Sequence, residues 1–146
     1  ILVAFGLGYW TGTIKKLVDE KFDTVTDAIE ASKQTTKENF DDFVYRFIAD
    51  SVFQLERIKF PLKSSIQTDL DEVDTKAIEK NDWKIVRLFG NEEYRSQIYD
   101  NFKRELRDTN ERLFCWEGVE NGIYVEYKFQ RLGGLWYLTE YNDFSD

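Results

Sequence analysis

Two carboxylates stand beside apolar or aromatic residues in a way that could support acid–base chemistry on a small apolar substrate. Asp82 precedes Trp83, and Glu126 lies between Val125 and Tyr127. A carboxylate acts as a general base near neutral pH when burial raises its pKa. Alternation along a strand would point Glu126 away from the face that carries Val125 and Tyr127. Asp82 is therefore the catalytic candidate of an enzyme hypothesis, although solvation is the commoner fate of such carboxylates and we favour it for both.

The composition excludes several other kinds of active site. Histidine is absent from the 146 residues, which rules out Ser-His-Asp and Cys-His catalysis and removes the commonest transition-metal ligand. Cys115 is the one cysteine of the sequence, so no internal disulfide or thiolate cluster can form. Its position between Phe114 and Trp116 favours burial as a small hydrophobic side chain. We predict no cofactor and no bound metal.

The charge balance disfavours two classes of partner. The sequence has 28 acidic and 20 basic residues and a net charge of −8. Binding of a nucleic-acid backbone requires a basic stripe, and an anionic membrane surface repels an acidic protein. We expect no nucleic-acid partner, and a membrane contact only through the N-terminal segment.

Aromatic side chains, 16% of the sequence, provide candidates for a ligand pocket. A curved sheet packed on a helix encloses a pocket at its open end, where rings line the wall and a few polar groups orient a ligand. The candidate ligand-binding residues are Trp83, Tyr94, Tyr127, Phe129 and Trp136. Core packing is the alternative for each of these rings. Alternation predicts that Tyr137 and Tyr141 lie on the opposite face of the last strand from Trp136, where they could contact a partner.

The C-terminal third of the sequence predicts an antiparallel sheet. Between Arg112 and Asn142, runs of strand-forming residues are separated by Asn121-Gly122 and Gly133-Gly134. Asn-Gly favours a type I′ hairpin turn, which needs positive φ at both central residues. Residues 123–131 alternate apolar and polar, so one face of this strand should be buried.

Helices are predicted upstream of this sheet. Apolar residues recur at spacings of three and four over Thr13–Lys33. A second helix should start near Lys37 with Thr36 as its N-cap, because an apolar stripe follows at helical spacing from Phe40 to Ile48. A third helix is predicted over Asn91–Leu106.

Shorter segments complete the expected organisation. Leu55–Phe60 is predicted as a strand that Pro61 either ends or places at the edge of a sheet. Lys63–Asn81 is predicted as a polar loop, and residues 82–86 as a short strand. Ile1–Trp10 is an apolar run shorter than the roughly 20 residues that span a bilayer. It suits either part of a secretory signal or anchor, or a segment buried on the domain. We predict an apolar and helical extension over residues 1–36 and one α+β domain over residues 37–146.

The order of elements, helices followed by a curved antiparallel sheet, resembles the nuclear transport factor 2-like cone, a cystatin-like α+β fold. Several stretches also resemble a bacterial cell-envelope family described as a domain of unknown function. The matching stretches are Phe43–Asp50, Gln54–Leu62, Ile78–Trp83, Leu88-Phe89 with Tyr94, Tyr127–Arg131 and Gly134–Trp136. The likeness covers about residues 40 to 142.

The resemblance implies a fold and an exported, envelope-associated location, and it implies no known activity. Many members of such a family look like lipoproteins, whereas the first cysteine here is Cys115, too late to be a lipidated N-terminal residue. Our leading hypothesis is a non-catalytic envelope module that binds a small apolar ligand or a protein partner. The alternatives are an isomerase or dehydratase that uses a pocket carboxylate, and a structural module that forms a homodimer.

Overall fold

The structure is a computed structural model that describes residues 7–32, 37–68 and 72–146. The described residues form two compact units, one within residues 1–36 and the other within residues 37–146. Helix α1 (Leu7–Ser32) lies in the first unit, and it starts six residues before the helix predicted over Thr13–Lys33. Among the described helices, none is both long enough and apolar enough to cross a bilayer. Residues 1–6 lie outside the described part, so the two interpretations of Ile1–Trp10 stay predictions.

The described residues of the second unit form two helices and one six-stranded sheet. Its elements are α2 (Phe40–Ala49), α3 (Ser51–Glu56), β1 (Ile58–Gln67), β2 (Val73–Ile78), β3 (Tyr94–Tyr99), β4 (Glu111–Gly118), β5 (Tyr124–Leu132) and β6 (Leu135–Asp143). The strand order is β2-β1-β6-β5-β4-β3. Every junction is antiparallel except that between β1 and β6, which is parallel. The predicted α+β class is confirmed, and the parallel junction is an addition to the predicted antiparallel sheet.

Helix α2 begins where a side chain satisfies its first amides. The Oδ1 atom of Asn39 accepts hydrogen bonds from the backbone amides of Asp41 at 2.8 Å and Asp42 at 3.1 Å. The two aspartates also place negative charge at the positive end of the helix dipole. The predicted cap, Thr36, lies outside the described residues, and the cap is Asn39. Asp50 ends α2 and caps α3 in the same way.

The core forms where the apolar stripe of α2 meets β5 and β6. The rings of Phe40, Phe43 and Phe47 each meet the Phe129 ring edge-on, with centroids 5.3 to 5.5 Å apart. Trp136 packs on Phe40 with centroids 5.0 Å apart. Edge-to-face contacts of this kind add to the free energy gained by burial. The predicted apolar stripe of α2 is confirmed, and it covers the part of the sheet that carries Phe129 and Trp136.

The predicted helix over Asn91–Leu106 is wrong. Residues Tyr94–Tyr99 form β3, which pairs antiparallel with β4, and a loop follows. Asn91 does accept hydrogen bonds from the amides of Glu93 and Tyr94, as an N-cap would. The turn that it stabilises leads into a strand because β4 offers a free edge, and this tertiary pairing overrides local helix propensity.

Other predicted boundaries also move. Strand β1 continues through Pro61 to Gln67 and pairs with β2, so most of the predicted loop over residues 63–81 is strand. Pro61 lies where the register between β1 and β6 shifts, so its missing N–H interrupts no regular ladder there. Residues 82–86, predicted as a strand, belong instead to the connection between β2 and β3.

The two hairpin turns of the C-terminal meander differ from each other. Gly133 and Gly134 have φ angles of 59° and 86° and join β5 directly to β6. The predicted two-residue turn at Asn121-Gly122 is instead a longer loop over residues 119–123. Positive φ angles occur there at Glu120 and Gly122.

Candidate functional site

A cavity of about 430 Å³ opens on the helix-facing side of the sheet, beyond the part that α2 fills. Its apolar and aromatic lining consists of Ile66, Ala77, Ile78, Trp83, Val86 and Tyr141. Charged side chains also line it, namely Lys76, Asp82 and Lys84. This volume and the mixture of rings with a few polar groups are typical of small-molecule sites.

The floor of the cavity is built by three neighbouring strands. In β1, Ser64 lies opposite Lys76 of β2 on one side and Tyr141 of β6 on the other. Ile66 is two residues further along β1, so it points to the same face as Ser64. Ile66, Lys76 and Tyr141 line the cavity, whereas Ser64 does not. Its side chain is fully buried.

One wall is the segment that follows β2, and a buried glutamine fixes it. The Gln54 side chain of α3 is fully buried. Its Oε1 atom accepts hydrogen bonds from the Trp83 indole at 3.1 Å and the Val86 amide at 2.9 Å. Its Nε2 group donates to the carbonyl oxygens of Phe47 at 2.7 Å and Val86 at 3.0 Å. Because all four bonds are made, Trp83 and Val86 are held in place by the helices.

Tyr141 reaches the cavity because β6 contains a bulge. Tyr127 pairs with Tyr141, whereas Phe129 pairs with Leu138, so β6 has one extra residue between these pairs. An extra residue reverses the faces of all side chains beyond it. The prediction that Tyr141 lies on the opposite face from Trp136 is therefore wrong.

The phenol of Tyr141 is a hydrogen-bond donor in this setting. Burial, followed by the charge of Asp143, raises the pKa of Tyr141 to about 12. Its hydroxyl donates to the Asp143 carboxylate at 3.3 Å. The Tyr127 ring lies 5.4 Å from the Tyr141 ring, and burial raises the pKa of Tyr127 as well. Both phenols therefore stay protonated near neutral pH.

The structure brings only some of the predicted ligand-binding residues to this cavity. Trp83 lines it and contacts Tyr141 edge-on, with ring centroids 5.8 Å apart. Tyr127 is buried behind Tyr141. Phe129 and Trp136 are fully buried against the rings of α2.

Tyr94, the remaining candidate, stacks on Trp116 with centroids 5.2 Å apart. This contact places the Tyr94 ring over β4, away from the cavity lining. The ligand-binding role of all five residues stays a prediction.

The two candidate carboxylates differ in environment. Asp82 is exposed and lines the cavity. Glu126 is on the other face of the sheet, as alternation predicts, but the expectation that it is solvated is wrong. It is 8% exposed, accepts a hydrogen bond from Arg104 at 2.8 Å and another from the Tyr124 hydroxyl at 3.0 Å. Within the described part of the chain, no three Cys, Asp or Glu side chains are placed to hold a metal ion.

Solved structures from Bacteroides species share the fold. A nuclear transport factor 2-like (NTF2-like) protein from Bacteroides fragilis aligns with a TM-score of 0.56 and 20% identity, over 75% of this chain and 48% of its own. This chain thus spans about half the length of that protein. A cystatin-like protein from Bacteroides caccae aligns with a TM-score of 0.52 and 23% identity, over 73% of this chain and 76% of its own. A protein from Bacteroides uniformis aligns with 0.51 and 24%, over 72% and 76%.

These likenesses show the fold, and they confirm the predicted nuclear transport factor 2-like, cystatin-like architecture. No curated protein matches the sequence. Residues 19–107, more than half of the chain, match a family described as "Domain of unknown function (DUF4348)". The predicted resemblance to a domain of unknown function is confirmed, and the chain belongs to the DUF4348 family.

Proposed function

We propose that the unit within residues 37–146 is a non-catalytic module that binds a small, mainly apolar ligand in the cavity beside Trp83. The observation that carries this proposal is the wall that Gln54 fixes through four hydrogen bonds. A cavity whose wall is held before the ligand arrives loses less conformational entropy on binding. The bonds of Gln54 therefore favour a binding site over a chance gap between loops.

The character of the lining supports a ligand with a hydrocarbon body. Trp83 and Tyr141 present rings, and Ile66, Ile78 and Val86 add aliphatic surface. Burial of an apolar ligand here would gain about 25 cal/mol for each Å² removed from water. The charged side chains at the cavity can orient a single polar group of the ligand.

Binding without catalysis is favoured by the position of the carboxylates. Asp82 is the carboxylate of the cavity lining, and it is exposed, so it lacks the burial on which a carboxylate base relies. Glu126 is buried but lies on the other face of the sheet, where Arg104 holds it. The isomerase or dehydratase alternative therefore has no buried base at this cavity among the described residues.

The proposal is tested by titrating the protein with 1-anilinonaphthalene-8-sulfonate while the tryptophan indole N–H signals are followed by NMR. The Trp83 signal, assigned with Trp83→Phe, should shift with saturation. The signal of Trp136 is the internal control, because its indole is buried and donates to the Glu38 carbonyl at 3.0 Å. Binding that leaves the Trp83 signal unmoved, or no binding at all, would contradict the proposal.

Native mass spectrometry of the purified protein adds a second test. A retained small molecule would support the proposal and give its mass directly. A dimer mass without any retained molecule would instead support the structural alternative, a homodimer.

We further propose that the protein acts in the cell envelope after export. The support is the resemblance of its sequence to an envelope family. Fractionation of cells that express the full-length protein, followed by immunoblotting, tests this location. Recovery in the cytoplasmic fraction alone would contradict it.

A further inference from the structure

The outer edge of strand β2 is open. In the sheet β2 has β1 on one side and no described strand on the other. The residues from Val73 to Ala77 are all exposed. Among the described residues, none forms a backbone hydrogen bond with the outer side of this strand. Unpaired N–H and C=O groups along such an edge are a template for pairing with another strand.

The hydrogen bonds to β1 determine which residues of β2 direct their backbone groups outward. The Thr68 amide donates to the Glu72 carbonyl at 2.8 Å, at the start of the β1–β2 ladder. Hydrogen-bonded pairs recur at every second residue of an antiparallel ladder, so Asp74 and Lys76 bond to β1. Thr75, which lies between them, therefore directs its N–H and C=O groups away from β1.

The neighbouring strand agrees with this assignment. Ser65 lies opposite Thr75 on β1, and its amide donates to the Asn142 side chain of β6 at 3.2 Å. Ser65 thus directs its N–H away from β2, as a residue of a non-hydrogen-bonded pair does. The centre of the open edge is therefore Thr75.

The charges around Thr75 are complementary to themselves. If β2 pairs antiparallel with β2 of a second copy, with Thr75 opposite Thr75, then Asp74 lies opposite Lys76 in both halves. These are non-hydrogen-bonded pairs, in which cross-strand side chains approach most closely, and opposite charges there are stabilising. Within the described part of the chain, neither Asp74 nor Lys76 forms an ion pair.

We propose that two copies of this chain pair edge to edge through β2, antiparallel about Thr75. A two-fold interface uses the same surface of both copies, and the order of charges on β2 meets that requirement. The pairing joins two six-stranded sheets into one continuous sheet. Lys76 lines the cavity, so Asp74 of the second copy adds a carboxylate at the cavity rim.

The other edge of the sheet lacks this complementarity. The Val119 amide donates to the Glu93 carbonyl at 2.7 Å, so the same alternation places the outward backbone groups of β3 at Ser96. Pairing of two β3 strands about Ser96 would set Arg95 opposite Gln97, which makes no charge pair. The edge that fits a second copy is therefore β2.

A charge swap tests the proposal, with the dimer dissociation constant measured by analytical ultracentrifugation of a dilution series. Lys76→Asp or Asp74→Lys alone sets like charges opposite each other in both halves and should raise the constant about tenfold. The double variant Asp74→Lys/Lys76→Asp restores opposite charges and should restore the original constant. Arg95→Glu on β3 is the control and should leave it unchanged.

Two results of this experiment would overturn the proposal. A protein that stays monomeric up to about 1 mM has no such interface. A dimer that the double variant fails to restore, or that the single variants do not weaken, uses another surface. A dimer that responds as expected supports the proposal whether or not it retains a ligand, so the outcome is independent of the dye titration at Trp83.

A disulfide provides a second readout that does not depend on charge. Residues of a hydrogen-bonded antiparallel pair have Cα atoms about 5.5 Å apart, a distance that a disulfide spans. Thr75→Cys should therefore form a covalent dimer on oxidation, seen on a non-reducing gel. Ser96→Cys, at the exposed centre of the β3 edge, is the matched control, and Cys115 is buried. Equal cross-linking of both variants, or none in Thr75→Cys, would contradict the pairing.

Discussion

The indole of Trp83 donates its hydrogen bond to Gln54, a residue 29 positions earlier in the chain and on a helix. The bond joins the cavity wall to the end of the helical layer. Trp83 lies in the long connection between β2 and β3, which has no regular structure of its own. The bond to Gln54 fixes its ring against α3. A single amide side chain therefore decides whether the cavity has a defined wall.

Replacement of Gln54 should destabilise the protein. Gln54→Leu removes all four hydrogen bonds and leaves the buried polar groups of Trp83, Val86 and Phe47 without this partner. We expect a loss of about 3 kcal/mol in the free energy of unfolding, measured by urea denaturation. Gln97→Leu on the edge strand β3 is the control, because Gln97 is exposed. A loss below about 0.5 kcal/mol, the level of ordinary surface substitutions, would contradict a stabilising role of the four Gln54 hydrogen bonds.

Replacement of Glu38 should also lower the free energy of unfolding. Its carboxylate accepts two hydrogen bonds from Arg57, at 2.9 and 3.1 Å, and a third from the Trp136 amide at 2.7 Å. Both charged side chains are at most 20% exposed. Glu38→Ala leaves a mostly buried guanidinium without its partner, which should cost about 3 kcal/mol in chemical denaturation. Glu56→Ala, at an exposed position, should cost little, and equal effects of the two variants would argue against the pair.

Acid stability should depend on Glu140. Burial raises the pKa of this carboxyl, but hydrogen bonds from Lys128, Asn142 and Lys63 outweigh burial and lower the pKa to about 2. A carboxyl whose pKa is lowered by folding stabilises the protein above its ordinary value of 4.5, and this contribution disappears as the pH falls toward 2. The unfolding free energy should therefore fall between pH 4.5 and 2, and Glu140→Gln should reduce that slope. An unchanged slope would contradict the assignment.

Alkaline stability should depend on Tyr141. Its pKa is raised to about 12 from an ordinary value of 10, so the stabilisation is present below pH 10 and is lost between pH 10 and 12. Asp143→Asn removes the neighbouring charge and should lower this pKa, whereas burial should keep it above 10. Absorbance titration of the phenolate at 295 nm, with Tyr141→Phe to identify the signal, measures the change. A pKa that does not move in Asp143→Asn would contradict the contribution of that charge.

The parts of the fold with local periodicity could be predicted from the sequence. The α2 stripe has helical spacing, and residues 123–131 alternate, so both elements form where expected. The segment Asn91–Leu106 is ambiguous between helix and strand in the sequence, because Tyr94 and Ile98 fit one face of a helix as well as one face of an edge strand. Only the free edge of β4, which is distant in sequence, decides between them.

The candidate site was less predictable. Trp83 and Asp82 could be identified because an aromatic ring beside a carboxylate is a recognisable pair. Alternation alone places Tyr141 on the opposite face from Trp136, which is wrong, since the bulge in β6 leaves no local signal in the sequence. Gln54 is an ordinary polar residue whose importance comes from its burial, and burial depends on long-range packing.

The position of β6 has a consequence for synthesis on the ribosome. In sequence it follows the other five described strands, yet in the sheet it separates β1 from β5 and is the only described strand that pairs with both. Until it has left the exit tunnel, the β1–β2 hairpin and the β3–β4–β5 meander have no strand to join them. Until then the nascent chain exposes the unpaired edges of β1 and β5. Chaperones protect such edges against aggregation.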